Sequence, residues 1–172
     1  MDMHAHLRQR WFNPDCYSGV WIEPHVSVSM AMWNSSGQMV GYQKYQPDAP
    51  RKHDNGVNTR YHSWFTKGQI GVWGMESVRW DSSPLFIVEG IFDAARLHWH
   101  GLPAIAVISN DPKHLRSWFR VLPQQLIAVC DGDSAGRRLA KYGRSGVIHM
   151  PDGADVGSVS QTEFNQMFAQ WM

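Results

Sequence analysis

The sequence predicts an α/β protein (α+β overall) in which a parallel, doubly wound sheet follows a smaller, strand-rich N-terminal lobe. The second half of the chain holds four short apolar runs separated by stretches of helical periodicity, which is typical of strands and helices that alternate around a parallel sheet. The first half alternates apolar and small polar residues between turn signals, as antiparallel strands do. We place the domain boundary at Ser83-Pro84, which gives an N-terminal lobe of residues 1–82 and a second lobe of residues 83–172.

A β-hairpin is predicted in the first lobe. Residues 26–33 alternate apolar and small polar side chains, Asn34-Ser35-Ser36-Gly37 is a turn signal, and residues 39–45 return. Residues 46–60 are rich in Pro, Asp, Asn and Gly, which favours an exposed loop that carries basic side chains.

Four strands and three helices are predicted in the second lobe. The strands are the apolar runs 85–88, 104–108, 126–130 and 147–150, and the helices are residues 91–99, 113–119 and 134–142. Runs that are continuously apolar indicate strands buried on both faces. Strands that alternate with helices imply a parallel sheet with right-handed connections.

Composition limits the classes of protein that fit. Apolar residues make up 43% and charged residues 18% of the chain, so enough apolar surface exists to offset the entropy of folding. The formal charge of +1 gives no basic field over the whole molecule, so nucleic acid would have to bind local clusters of positive charge. Cys16 and Cys130 lie far apart and no secretory segment follows Met1, which predicts free thiols and a cytoplasmic protein. No apolar run approaches the roughly 20 residues of a membrane helix, and we expect no membrane partner.

Acidic residues follow the predicted strands. Glu89-Gly90 follows the first run and Asp131-Gly132-Asp133 the third, and residues 151–155 (PDGAD) follow the fourth. Ligands of open parallel sheets bind beyond the carboxyl ends of the strands. Each acid alone is better explained as a helix cap or a solvated strand end. Together, their carboxylates would repel one another unless a cation such as Mg²⁺ neutralised them, so the joint pattern predicts a metal site.

Three segments of the second lobe resemble the TOPRIM domain of bacterial and phage-type primases. They are PLFIVEGIFDAARLHWHGLPAIAV, LIAVCDGDSAGRRLAKYG and MPDGADV, which agree with that domain in order and spacing over about seventy residues. The resemblance implies that Glu89, Asp131, Asp133 and Asp155 hold Mg²⁺ or Mn²⁺. It also implies that Asp93, four residues after Glu89, is a further ligand or supports the metal shell, as does Asp152.

The first lobe is similar to the lobe that precedes TOPRIM in primases. The similarity rests on SSGQMVGYQKY and on RYHSWFTKGQIGVWG, the segment that joins the two lobes in that family. It places Lys67 and Arg60 where basic residues face template or incoming nucleotide, with the active cleft between the lobes. Arg51 and Lys52 add positive charge nearby. The tryptophans of this half, where exposed, would suit base stacking, although packing in the core or on the hairpin faces is the commoner explanation for any one of them. Those tryptophans are Trp11, Trp21, Trp33, Trp64, Trp73 and Trp80.

The resemblance therefore implies a stand-alone primase core that makes short RNA primers. Its substrates would be single-stranded DNA template and ribonucleotides, and its partner a replicative helicase or polymerase. Glu89, Asp93, Asp131, Asp133 and Lys67 would be the catalytic residues. The site alone leaves two alternatives open, since a TOPRIM nuclease uses the same carboxylates to activate water, and a nucleic-acid-binding module could retain them without turnover.

Two features depart from the family. Gly157 stands where primases usually carry a second Asp two residues after the position of Asp155, so one outer carboxylate is missing. Two cysteines cannot build the usual zinc ribbon, which needs four Cys or His ligands. Small size without zinc or helicase modules favours a phage or mobile-element origin.

The N-terminus carries a weaker motif. Asp2-Met3-His4-Ala5-His6 resembles the first metal-binding strand of amidohydrolases. Those enzymes need a barrel of about 250 residues, for which this chain is too short. We expect a disordered terminus instead.

Overall fold

The computed structural model describes residues 1–51, 58–69 and 71–172. The chain divides into two compact units, residues 1–73 and 74–172. The first contains a four-stranded antiparallel sheet and the second a four-stranded parallel sheet, which confirms the predicted α/β fold class. In the ranges described, the helices are too short and too polar to cross a membrane.

The first unit is an antiparallel sheet in the order β1-β2-β3-β4. Its elements are α1 (Met3–Gln9), a 3-10 turn (Pro14–Cys16), β1 (Val20–Glu23), β2 (Ser27–Trp33), β3 (Met39–Tyr45) and β4 (Tyr61–Phe65). Strands β2 and β3 form the predicted hairpin. Its turn closes because the Asn34 side chain accepts hydrogen bonds from the Ser36 and Gln38 amides (3.0 and 2.9 Å). Gly37 adopts a φ of 74°, which favours glycine.

The N-terminus is helical rather than disordered. The Asp2 side chain accepts hydrogen bonds from the first amides of α1, as helix N-caps do. Met3 and Leu7 are buried, and burial of each stabilises the fold by about 1.5–3 kcal/mol. His6 stacks on Tyr45 of β3 and shares a 2.9 Å hydrogen bond with its hydroxyl. His6 therefore packs α1 on the sheet.

The second unit is a parallel sheet in the order β6-β5-β7-β8. Its strands are β5 (Pro84–Val88), β6 (Ala104–Ala106), β7 (Gln125–Cys130) and β8 (Gly146–His149). All four predicted apolar runs are therefore strands. Helix α2 (Ile91–Trp99) spans the predicted residues. The second predicted helix begins as a 3-10 turn (Lys113–Leu115) and continues as α3 (Arg116–Val121).

The third predicted helix differs from expectation. Residues 134–142 do not form a regular α-helix, and a 3-10 helix spans Gly136–Tyr142 instead. The first residue of this 3-10 helix, Gly136, is closely packed. A Cβ on Gly136 would lie 2.7 Å from the Asp131 carbonyl oxygen, so the chain turns back directly against the end of β7.

Helix α4 (Gln161–Phe168) completes the unit. It begins in a capping box, since the Ser160 hydroxyl accepts from the Glu163 amide and the Glu163 carboxylate accepts from the Ser160 amide. Phe164 and Phe168 are fully buried, and Phe168 meets Phe86 of β5 edge-on with ring centroids 5.6 Å apart. Sequence inspection missed α4, although a capping box followed by apolar residues at i and i+4 is its usual signature.

Candidate active site

Two adjacent strands bring carboxylates to one edge of the parallel sheet. Glu89 follows β5 and Asp131 follows β7. The two strands pair in parallel, with Leu85 opposite Leu126 and Ile87 opposite Ala128. Their carboxyl ends therefore reach the same edge, where ligands bind in sheets of this kind.

The carboxylates at this edge repel one another. Burial, followed by repulsion from Glu89, Asp155 and Asp133, raises the pKa of Asp131 to about 7. Burial, followed by repulsion from Asp133, also raises the pKa of Glu89. The predicted ligands thus lie within electrostatic reach of each other, although Glu89, Asp131 and Asp155 follow three different strands.

Asp133 also organises the turn after β7. Its Oδ1 accepts a hydrogen bond from the Gly136 amide, so this carboxylate caps the 3-10 helix in addition to contributing charge. The Oδ1 atom of Asp133 is therefore engaged with the backbone of the turn.

Gly132 packs against the backbone after β8. Its amide donates to the Ala154 carbonyl (2.8 Å), and its carbonyl accepts from the Gly153 amide (2.9 Å). A Cβ on Gly132 would lie 1.7 Å from the Pro151 carbonyl oxygen. The glycine is therefore required by a neighbouring segment of the chain, and it draws the loop that carries Asp155 toward Asp131.

Asp93 lies in the first turn of α2 and is 9% exposed. Its Oδ1 accepts a 3.0 Å hydrogen bond from the Gly157 amide. A Cβ at Gly157 would lie 3.3 Å from an Asp155 carboxylate oxygen and 3.6 Å from an Asp93 one. A side chain at position 157 would therefore lie beside both carboxylates, and glycine adds no third carboxylate there.

Arg96 is a positioning residue that the sequence reasoning missed. It is 1% exposed, and its guanidinium donates to the carbonyls of Val156 and Val159 at 2.7 Å each. Burial lowers its pKa, an effect that Asp155 and Asp93 oppose. The available signal was an arginine flanked in the sequence by Ala94, Ala95 and Leu97, because an arginine that is buried among apolar residues needs partners. Arg96 fixes the loop that presents Asp155.

Asp152 lies apart from this group. Its side chain is 98% exposed and is 3.8 Å from Arg137, itself exposed. Such surface pairs contribute about 0–1 kcal/mol. The exposed Asp152 side chain therefore does not join the carboxylates described above, and its predicted supporting role has no contact behind it.

The predicted basic residues lie in the first unit. Lys67 is exposed in the turn after β4, and Arg51 is exposed as well. The Arg60 Nε donates to the Ala49 carbonyl (3.3 Å), so this guanidinium holds the loop that precedes β4. Lys52 lies outside the described residues.

The carboxylates fit a divalent cation by their chemistry. They supply hard oxygen donors, which Mg²⁺ prefers. Burial and repulsion from the neighbouring carboxylates raise the pKa of Asp131, and a bound cation would oppose that shift. As they stand, no three His, Cys, Asp or Glu side chains among residues 1–51, 58–69 and 71–172 are grouped closely enough to hold an ion. The donor set is present, but it is not drawn together into a coordination shell.

The raised pKa of Asp131 predicts how the stability of the metal-free protein depends on pH. The folded chain keeps a proton up to about pH 7 that the unfolded chain releases near the ordinary value of 3.8. The Asp131 contribution is therefore complete below that ordinary value and is lost as pH rises through 7. Denaturant unfolding in EDTA, followed between about pH 5 and 8, should show a free energy of unfolding that falls more steeply in the wild type than in Asp131→Asn.

Comparison of the two proteins is needed because His98 acts in the opposite direction. Burial lowers the pKa of His98, which stabilises the fold as pH rises through its ordinary range. The histidine contribution cancels in the difference between wild type and variant. Equal pH slopes for the two proteins would contradict the raised pKa of Asp131.

The first unit presents an aromatic outer sheet face, which we define as Trp21, Met39, Tyr42, Lys44 and Trp64. Trp21 and Trp64 are each 52% exposed. Tyr42 and Trp64 face each other across β3 and β4 and stack with centroids 6.1 Å apart. A groove of about 410 Å³ runs along this face, lined by Trp21, Ser29, Met39, Tyr42 and Lys44. By contrast Trp73 is buried, so the tryptophans divide between core and surface.

Comparison with known proteins identifies the fold. No model of a protein family and no curated protein sequence matches the chain. The E. coli primase catalytic core matches with a TM-score of 0.61 and 23% identity over 84% of this chain and 50% of that one. The primase fragment of the bacteriophage T7 primase-helicase protein matches with a TM-score of 0.63 and 12% identity, over 89% and 66%. A DnaG primase catalytic domain bound to single-stranded DNA matches with a TM-score of 0.59 and 20% identity, over 95% and 63%.

The chain thus has the fold of bacterial and phage primase catalytic cores. It spans between half and two thirds of the length of the structures compared above. The resemblance drawn from the sequence motifs is confirmed at the level of the fold.

Proposed function

We propose that this protein is a primase-type nucleotidyltransferase that makes short RNA primers on single-stranded DNA. One observation carries the proposal: burial, together with carboxylates that follow three strands of the parallel sheet, raises the pKa of Asp131 to about 7. Such a group is stable when a divalent cation neutralises it. The primase-core fold supports this activity over that of a nuclease, because the strand-rich first unit belongs to the matched region.

Glu89, Asp131 and Asp133 would hold Mg²⁺ or Mn²⁺, with Asp155 beside them. When bound, the cation would lower the pKa of the primer 3′-hydroxyl and neutralise the charge of the triphosphate. Asp93 would have an indirect role. Its hydrogen bond to the Gly157 amide would fix the loop that carries Asp155.

The proposed reaction joins a ribonucleotide to the primer. The 3′-oxygen bonds to the α-phosphorus as its proton leaves to solvent, and the bond from that phosphorus to the bridging oxygen breaks, releasing pyrophosphate. The carboxylates orient the reacting groups, and an exposed cation such as Lys67 neutralises phosphate charge.

The aromatic outer sheet face is the part of the first unit that we assign to the template. Bases stack on exposed aromatic rings, at about 1–3 kcal/mol per base. The groove is also lined by Lys44, whose ammonium lies 3.6 Å from the Glu23 carboxylate. A related primase domain has been solved with single-stranded DNA, which supports this substrate class. A replicative helicase or polymerase remains the partner that we expect.

Trp64→Ala should weaken binding of single-stranded DNA by about 5- to 150-fold, because one base loses its stacking partner. Fluorescence anisotropy with a labelled oligonucleotide measures this affinity. Trp99→Ala is the matched control, since Trp99 is equally exposed at 52% but ends α2 in the second unit. Equal losses of DNA affinity in the two variants would contradict the assignment of the template to this face.

A priming assay tests the proposed function. The protein is incubated with single-stranded DNA, ribonucleotides and Mg²⁺, and labelled oligoribonucleotides are the expected product. A second arm omits the nucleotides. Nicking of the DNA in that arm, without oligoribonucleotides in the first, would assign the carboxylates to a nuclease instead. Binding of DNA without any Mg²⁺-dependent product would indicate a nucleic-acid-binding module without catalytic activity.

A further inference from the structure

A second concentration of charge in the second unit is basic and lies around a cavity. The cavity, of about 190 Å³, lies between α3 and the 3-10 helix Gly136–Tyr142. Four exposed basic side chains line it, together with apolar and aromatic ones. The basic residues, which together we call the basic pocket, are Arg116, Arg120, Lys141 and Arg144. In a chain with a net charge of only +1, this is a strong local field.

Arg116 and Arg120 are one helical turn apart on α3. Residues at i and i+4 share a helix face, and like charges there destabilise the helix. In the part of the chain that the structure describes, no ion pair involves either arginine. Their charges are therefore open to a ligand.

Arg144 is fixed at the wall of the pocket by backbone contacts. Its guanidinium donates to the carbonyls of Phe119 (2.9 Å) and Gln124 (2.7 Å), and also to that of Leu122. These carbonyls lie at and beyond the end of α3, where a cation is favourable. Arg144 thus contributes an ordered positive charge and keeps the pocket in shape.

Asp111 offsets only part of this charge. Its carboxylate pairs with Lys141 and accepts a 2.8 Å hydrogen bond from the Tyr142 hydroxyl. Phe119 and Tyr142 are buried beneath the pocket, with centroids 5.6 Å apart. Two buried aromatic rings therefore line the pocket together with the charged groups.

We propose that the basic pocket binds a phosphate group, carried either by a nucleic-acid backbone or by a free nucleotide. Arginine is suited to this ligand because its planar guanidinium donates paired hydrogen bonds to phosphate oxygens. The volume lies below the roughly 300–1,000 Å³ of pockets that enclose drug-sized ligands, so a phosphate group fits and a whole nucleotide does not.

This site is separate from the carboxylate edge. Leu126 lines the pocket near the start of β7, whereas Asp131 follows the end of that strand. Five residues of strand span about 16 Å. The proposal therefore depends neither on a metal ion nor on the primase activity proposed above.

Binding in EDTA tests the proposal without the metal site. A labelled single-stranded oligonucleotide is titrated by fluorescence anisotropy over a range of KCl concentrations, and ATP by calorimetry. The variants are Arg116→Ala with Arg120→Ala, and Arg79→Ala as the matched control. Arg79 is an exposed arginine of the same unit that does not line the pocket.

The double variant should weaken the binding of at least one probe well beyond the effect of Arg79→Ala. If the phosphate belongs to nucleic acid, the slope of log affinity against log salt should fall by about 0.7 for each phosphate that the variant no longer binds, with ATP unaffected. Loss of ATP binding alone would assign the pocket to a free nucleotide. No change relative to Arg79→Ala in either probe would overturn the proposal.

Two further proteins keep the result interpretable. Arg116→Gln with Arg120→Gln removes the charge but keeps a long polar side chain, in case the alanine variant does not fold. Asp131→Asn should retain the EDTA-resistant binding in full. Loss of priming in that variant with intact phosphate binding would separate the two sites.

Discussion

Asp131→Asn is expected to lower primer synthesis by about 10²–10³-fold, which is the typical loss when one group that stabilises transition-state charge is removed. The same substitution should stabilise the metal-free protein at neutral pH. Burial and three neighbouring carboxylates raise the pKa of Asp131 to about 7, so its negative charge is costly without a cation. A residue that is needed for turnover but unfavourable for the apo fold is typical of a functional site.

The matched control is Asp152→Asn. Asp152 belongs to the loop that carries Asp155, but its side chain is 98% exposed and its nearest charged partner is Arg137. Priming rates over a range of Mg²⁺ concentrations, together with urea unfolding in EDTA, measure both effects. Equal rates for Asp131→Asn and Asp152→Asn would show that the convergence of strand ends has no catalytic role.

Gly132→Ala is expected to destabilise the second unit by about 3 kcal/mol or more, at or beyond the upper end for overpacking a well-packed interior. The added Cβ would lie 1.7 Å from the Pro151 carbonyl oxygen and 2.9 Å from the Gly153 amide nitrogen. Both neighbours are backbone atoms, which cannot rotate away. Either the loop after β8 moves or the turn after β7 does. Urea unfolding should show a lower midpoint.

Gly146→Ala is the control for this prediction. Gly146 begins β8 of the same sheet, and a Cβ there would meet Ile127 at 3.8 Å, an ordinary van der Waals contact. Loss of backbone entropy in the unfolded state then favours alanine by about 0.4–1 kcal/mol. If Gly132→Ala were as stable as Gly146→Ala, the close approach at Pro151 would be wrong.

Local pattern was sufficient to predict most of the second unit. Runs such as 126–130 are apolar at every position, and a strand buried on both faces requires that. Strands β1 and β4 were missed because edge strands need less apolar surface, and both have alternating or mostly exposed side chains. The helix at residues 3–9 was missed because a short helix is stable only through packing, and its contact with Tyr45 joins residues distant in the sequence.

The sequence predicted which acids would meet, but not what holds them. Adjacent parallel strands bring Glu89 and Asp131 to one edge, which follows from topology alone. The contacts that place Asp155 are different, since Arg96 reaches carbonyls sixty residues away in the chain. The contact of Gly132 with Pro151 is likewise a matter of tertiary structure. No local pattern encodes such contacts, because they join residues that are distant in the sequence.

The strand order has a consequence for the order of folding. Strand β5 lies between β6 and β7, and β8 lies at the edge of the sheet, so the chain must close long loops before Glu89, Asp131 and Asp155 become neighbours. Closing such loops is slow relative to forming local contacts. Divalent cations should therefore have little affinity for partly folded chains, and added Mg²⁺ should slow unfolding more than it speeds refolding.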